Sequence, residues 1–84
     1  MKILHIIKDP HNQLAIETAK SHAATDDVSL LLVQDGVMGK ITLGVPVYAC
    51  REDVESRGVT FHSEKVTFPE MVDLITEHDK VISW

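Results

Sequence analysis

Short apolar runs alternate along the chain with segments of helical periodicity. The most apolar run, Leu30–Val33, has no polar alternation and leads into a Gln-Asp-Gly turn at residues 34–36. A strand of this kind is buried on both faces, which in a short chain is typical of a parallel sheet covered by helices. We therefore take Leu30–Gly36 as the central strand together with the turn at its carboxyl end, where open α/β sheets commonly place their sites.

The rest of the pattern predicts a β-α-β alternation. Strands are predicted over residues 2–7, 28–33, 45–49 and 80–84, with one or two short strands over 59–61 and 65–67, and helices over 12–24, 51–57 and 68–78. After Gly36, the two glycines at 39 and 44 disfavour a long helix and allow only a short helical turn, so the second crossover is predicted to be short. The alternation predicts one domain, residues 1–84, with a three-layer α/β/α fold and a mainly parallel sheet of about five strands.

Helical spacing also predicts which side chains the helices bury. In the first helix, which Asn12 caps, the apolar face is predicted to hold Leu14, Ala15, Thr18, Ala19, His22 and Ala23. In the last helix, Met71, Leu74 and Ile75 are predicted to share one face.

Composition narrows the function classes. The net charge of −5, with scattered basic residues, argues against DNA binding and general nucleic-acid binding. No apolar run approaches the roughly 18 residues that a membrane span needs, and residues 2–7 resemble a strand more than a signal peptide. The single cysteine fits a reducing cytoplasm. A chain of 84 residues without a disulfide lies near the margin of independent stability, so we expect a partner subunit or self-association.

The sequence lacks the motifs of several common enzyme and binding functions. The four glycines match neither phosphate-binding spacing, and no G-x-S-x-G elbow occurs. The five histidines show no paired ligand spacing, so we expect ordinary surface or edge histidines, with no metal and no cofactor.

Cys50 is the main candidate for chemistry. It closes the third strand directly before a helix, whose free amides favour an anion, and Arg51 adds a positive neighbour. Glu52 and Asp53 in the same turn disfavour a thiolate. A free cysteine is also often buried as a space filler, so a reactive and a packing role both stay open.

Two further residues are candidate binding positions. Asp35 either forms the turn before Gly36 or presents a carboxylate at the edge of the sheet. Trp84 either caps the edge of the core or serves as an aromatic anchor for a partner.

Six stretches, taken in order, resemble the DsrH/TusB family of sulfur-relay proteins and cover nearly the whole chain. They are Leu4-His5, Leu31–Val37, Val47-Tyr48-Ala49, Glu52–Val59, Met71–Leu74 and His78–Trp84. No single stretch is specific. The patterns L-L-x-Q-D-G-V, V-Y-A followed by E-D-V-x-x-R-G, and a final S-W together indicate the family.

The resemblance implies a DsrE-like fold, of the flavodoxin-like or Rossmann-like kind, and a place in a cytoplasmic complex that passes persulfide sulfur between proteins. In one branch the sulfur ends in 2-thiouridine at the tRNA wobble position, and the partners are TusC-like and TusD-like subunits. In the Dsr branch, with DsrE-like and DsrF-like subunits, the route serves sulfur oxidation. We expect the tRNA branch, with persulfide donor and acceptor proteins as further partners and no independent turnover.

Departures from the family bear on the sulfur chemistry. Dsr-branch members carry a cysteine in the first helix, where this chain has none, and the segment between Gly36 and Val45 is short for the family. Cys50 stands where many members have an aliphatic residue. Its setting is similar to that of the sulfur-carrying cysteine of the related DsrE/TusD subunits, which also have an Arg-Gly about seven residues further on, like Arg57-Gly58 here. The resemblance thus favours Cys50 as a persulfide carrier and Arg51 as its electrostatic helper.

Two other functions stay open. One is a non-catalytic structural subunit or a stand-alone homo-oligomer of the same fold, in which Cys50 is packing and Trp84 with the Asp35 edge forms the docking surface. The other, a small-ligand or nucleotide-binding module, is weakened by the missing phosphate loop.

Overall fold

All five strands of the sheet run parallel, and helices cover both of its faces. The computed structural model describes residues 1–84. The strands are β1 (Lys2–Ile7), β2 (Asp27–Leu32), β3 (Val47–Cys50), β4 (Glu64–Val66) and β5 (Lys80–Ser83), and the helices are α1 (Gln13–Ala23), α2 (Arg51–Arg57) and α3 (Phe68–Glu77). The strand order is β4-β3-β2-β1-β5. The predicted three-layer α/β/α fold is confirmed.

The central position of β2 follows from its apolar run. Leu30 and Leu32 belong to the cluster beneath α1 and α2, whereas Leu31 belongs to the cluster beneath α3. All three side chains are 2% exposed or less. Burial on both faces leaves no position for a polar side chain, which explains why the strand shows no polar alternation.

The edge of the sheet at β3 and β4 is shorter than predicted. β3 begins at Val47 because Pro46 has no amide hydrogen to donate to the ladder, although its carbonyl oxygen accepts from the Leu30 amide at 2.9 Å. Of the one or two short strands predicted over residues 59–61 and 65–67, one forms, as β4, and residues 59–61 are not a strand. Val59 and Phe61 are half-buried side chains that pack against the core from a loop, and only β4 pairs with β3.

Small residues bring α1 close to the sheet. The helix begins after Asn12, whose side-chain oxygen accepts from the Ala15 amide at 3.0 Å, and this confirms the predicted cap. Only Ala15 and Ala19 are buried in this helix, and the prediction for Leu14 is wrong, since it is 68% exposed. Leu14 lies about 100° around the helix from Ala15, so a contact line along the two alanines turns it toward solvent.

The other face of the sheet is covered by α3. Thr67 and Glu70 form a capping box at its start, and Leu74 and Met71 pack on the sheet. Ile75, predicted on the same face, is 40% exposed because the contact line runs through Met71 and Leu74, and the next residue points away from it. No helix of the protein is both long and apolar enough to cross a membrane.

Candidate functional site at the carboxyl edge of the sheet

A parallel sheet places the carboxyl ends of all its strands at one edge, and the predicted site residues follow such ends. Asp35 follows β2, Cys50 ends β3 and precedes Arg51, and Trp84 follows β5. In the strand order, β2 and β3 are neighbours, whereas β1 separates β2 from β5. The fold therefore brings Asp35 and Cys50 to adjacent strand ends and leaves Trp84 on the far side of β1.

An ion-pair cluster of Asp35, Asp53 and Arg57 joins the turn after β2 to α2. Arg57 Nε donates to Asp35 Oδ1 at 2.9 Å, and Arg57 Nη1 donates to Asp53 Oδ1 at 3.4 Å. Asp53 Oδ2 accepts from the backbone amide of Gln34 at 2.7 Å. Gln34 has φ +50°, a left-handed conformation that ordinary residues rarely adopt, and the Asp53 carboxylate holds it there. The Q-D-G and E-D-V-x-x-R-G patterns, far apart in sequence, are therefore parts of one structure.

Gly36 lets this turn approach β1. A Cβ atom at position 36 would lie 2.2 Å from the carbonyl oxygen of Ile7. The same oxygen accepts a hydrogen bond from the Val33 amide at 3.0 Å, so it is fixed in place. The turn continues into a 3-10 helix, Gln34–Met38, which confirms the predicted short crossover. Only glycine fits this close approach of two backbones.

Cys50 is enclosed at the start of α2. Its side chain is 2% exposed, and its register partner Val66 belongs to the cluster beneath α3. Burial raises the pKa of the Cys50 thiol above its ordinary value. The Asp53 carboxylate raises this pKa further, while the backbone amides of Asp53 and Glu52 lower it. The thiol form is thus favoured over the thiolate, and the Asp53 carboxylate acts in the predicted direction.

Arg51, the predicted electrostatic helper of Cys50, lies at the start of α2 directly after the cysteine. Its side chain is exposed, and its charge acts on Glu70 at the start of α3, where it helps to lower the pKa of that carboxyl after the larger effect of the Thr67 hydrogen bonds. A cavity of about 490 Å³ lies between residues 37–42 and 59–63, and neither Cys50 nor Arg51 lines it.

Trp84 belongs to a network that the sequence did not reveal. Its indole Nε1–H donates to His5 Nδ1 at 3.0 Å, and His5 Nε2 lies 3.1 Å from His22 Nδ1. His5 is fully buried, so the expectation of ordinary surface or edge histidines is wrong at this position. One feature of the sequence could have indicated this network: His5 lies at the centre of the apolar strand Lys2–Ile7. A buried imidazole requires hydrogen-bond partners, so a histidine at this position predicts polar neighbours.

The fold defines a small α/β protein with a parallel sheet. At the carboxyl edge of this sheet, Asp35 and Asp53 both form ion pairs with Arg57. Protein TusB of Serratia proteamaculans (strain 568) is 38% identical to this chain, in an alignment that covers 74% of this chain and 78% of that protein. No protein-family model matches the chain. At this identity and coverage the chain belongs to the TusB/DsrH family, as its six stretches indicated.

Proposed function

We propose that this chain is a subunit of a cytoplasmic sulfur-relay complex that passes persulfide sulfur between proteins toward 2-thiolation of the tRNA wobble uridine. Membership of the TusB/DsrH family is the observation that carries the proposal. The proposed partners are TusC-like and TusD-like subunits of the same fold. A persulfide donor and a sulfur acceptor protein stand at the two ends of the relay.

The surroundings of Cys50 support a subunit that builds the complex and does not itself carry sulfur. A relay cysteine must meet a donor persulfide and then an acceptor thiol, and each transfer needs an accessible thiolate. Cys50 is buried, and its pKa is raised by burial and by Asp53. In this role Cys50 fills space at the start of α2, and the subunit contributes binding surface.

Asp35 is the proposed partner contact on that surface. Its carboxylate accepts one hydrogen bond, from Arg57 Nε, and the side chain remains 63% exposed. The paired cluster fixes the direction of the carboxylate, because Arg57 is held in turn by Asp53. A rigid, exposed acceptor at the edge of the sheet suits a basic group on a neighbouring subunit. Trp84 is a weaker contact, since it is half-buried and its indole N–H is already bonded to His5.

A second candidate keeps Cys50 as the carrier. Its support is the position of the thiol at a strand end before α2, with Arg57-Gly58 at the end of the helix. In this reaction the Cys50 thiolate attacks the outer sulfur of a donor persulfide, the donor thiolate leaves, and a Cys50 persulfide forms. An acceptor thiolate then takes that sulfur and restores Cys50. Opening of the edge around Cys50 has to precede both transfers.

Thiolation of tRNA in cells tests the proposal. Deletion of the gene for this chain is expected to lower the 2-thiouridine content of tRNA, and the wild-type chain is expected to restore it. Unchanged 2-thiouridine after the deletion would contradict the relay function.

The Cys50→Ser variant separates the two candidates. Full restoration of 2-thiouridine by this variant supports the structural subunit, whereas no restoration with an intact complex by native mass spectrometry supports the carrier. Intact-mass measurement after incubation with a persulfide donor gives an independent readout. A gain of one sulfur on the wild-type chain that is absent from Cys50→Ser would assign the carrier role to Cys50.

A further inference from the structure

Three aromatic rings form a continuous hydrogen-bonded chain on one face of the sheet. His5 lies at the centre of β1, His22 comes from α1, and Trp84 follows β5. The ring planes of His5 and His22 are inclined by 28°, and those of His5 and Trp84 by 18°. The N···N distances of 3.1 Å and 3.0 Å are short enough for both contacts to be hydrogen bonds.

The donors and acceptors of this chain are fixed by the indole. Tryptophan can only donate, so His5 Nδ1 has to be an unprotonated acceptor. A neutral imidazole with a free Nδ1 carries its hydrogen on Nε2, and His5 therefore donates to His22 Nδ1. His22 then also has an unprotonated Nδ1. Two intact hydrogen bonds thus require both imidazoles to be neutral, each with its hydrogen on Nε2.

One added proton is incompatible with this arrangement. If the added proton binds to His22 Nδ1, it faces the Nε2 hydrogen of His5, and the contact between the two histidines becomes repulsive. If His5 moves its own hydrogen to Nδ1, the contact between the histidines is restored, but His5 then faces the indole N–H of Trp84. Either way, one of the two hydrogen bonds is lost.

The indole contact is the weaker of the two in the protonated state. A hydrogen bond from an imidazolium to a neutral imidazole is charge-assisted and roughly twice as strong as a neutral one. The Asp26 carboxylate acts on the same side of the network: the pKa of Asp26 is lowered mainly by its bond to the amino terminus of Met1, then by the Thr25 hydroxyl, and also by the nearby His22. Lys80 on β5 opposes a positive charge on His5.

We propose that His5, His22 and Trp84 form a proton-controlled latch, in which uptake of one proton by the two histidines releases the indole of Trp84 from His5. The Trp84 amide donates to Ile6 O at 2.9 Å at the end of β1, and the half-buried ring packs against the cluster beneath α1 and α2. Release exposes a large aromatic side chain at the carboxyl edge of the sheet. Two neutral imidazoles keep the latch closed and added acid opens it; burial lowers the pKa of His5, which favours the closed, neutral form.

Trp84 is the only tryptophan of the chain, so its fluorescence reports the latch directly. Between pH 8 and pH 5 we expect a red shift of the emission and an increase of about twofold in the acrylamide quenching constant, as a half-buried ring becomes accessible. Far-UV circular dichroism should stay unchanged over this range. In the His22→Gln variant, whose amide oxygen can accept from His5 but does not titrate, the transition should move to lower pH or disappear. His62→Gln, at an exposed histidine, is the matched control and should behave like the wild type.

Three results would overturn the latch. Constant accessibility of Trp84 between pH 8 and pH 5 would mean that His22 turns to solvent and the indole stays bound. An unchanged transition in His22→Gln would place the titrating group elsewhere. A third test needs no variant: nitrogen chemical shifts of the wild-type imidazoles at pH 8 should place the hydrogen on Nε2 in both rings, and a hydrogen on His5 Nδ1 would contradict the donor assignment.

Discussion

Replacement of Gly36 by alanine probes the contact on which the carboxyl edge depends. The added methyl carbon would lie 2.2 Å from the carbonyl oxygen of Ile7, whereas an ordinary carbon–oxygen contact is about 3.3 Å. One backbone segment must therefore move by roughly 1 Å. This movement pulls the Ile7 oxygen away from the Val33 amide, which it now accepts at 3.0 Å.

The expected loss for Gly36→Ala follows from these two effects. Overpacking costs about 1–3 kcal/mol, and loss of a backbone hydrogen bond adds about 1 kcal/mol. We expect the free energy of unfolding to fall by about 3 kcal/mol, which lowers Tm by roughly 12–24 °C in a domain of this size. Urea unfolding followed by far-UV circular dichroism measures the first quantity, and thermal unfolding measures the second.

Gly44→Ala is the control for Gly36→Ala. Gly44 has φ +70° and open space around its Cβ position, so alanine there costs only the left-handed backbone strain of about 1 kcal/mol. If the two variants lose the same stability, the close approach of the turn to β1 does not constrain the fold, and the argument from the Ile7 oxygen is wrong.

The remaining predictions concern both faces of the sheet. Leu74→Ala should cost about 2–4 kcal/mol in urea unfolding, whereas Ile75→Ala, at an exposed neighbour, should cost less than about 1 kcal/mol. Asp53→Ala removes an acceptor for a backbone amide and should cost about 1–2 kcal/mol. The pKa of Glu70 is lowered by Thr67, so the capping box contributes stability above the unfolded-state pKa and loses it as pH falls through the folded one. An NMR titration should place this pKa below the ordinary value, and Thr67→Ala should raise it.

Much of the fold was predictable because its signals are local. The run Leu30–Val33, the Asn12 cap and the helix over residues 51–57 with Gly58 after it were all assigned from neighbouring residues and are all present. The errors at Leu14 and Ile75 have one cause. Helical spacing defines a broad apolar stripe, but the line along which the helix touches the sheet depends on which residues allow the closest approach.

The candidate site was predictable only in part. The edge position of Asp35 and Cys50 follows from parallel strands, and the effect of Asp53 on the Cys50 thiol follows from their spacing. The bond between Asp35 and Arg57 could not be predicted, because it joins two segments through the fold. Asp53 and Arg57 are four residues apart in α2, and this spacing does not indicate that they also hold the turn after β2.

The sequence alone determined the parallel α/β architecture, the order of its elements and the position of Asp35 and Cys50 at the carboxyl edge, because these depend on local periodicity and on the rule that parallel strands end together. Only the tertiary structure decided that Cys50 is enclosed and that His5 lies between His22 and Trp84. These facts depend on contacts between residues distant in the chain, such as the bond that joins Trp84 to His5 across 79 positions. Spacing along the sequence carries no record of which distant side chain completes a buried hydrogen bond.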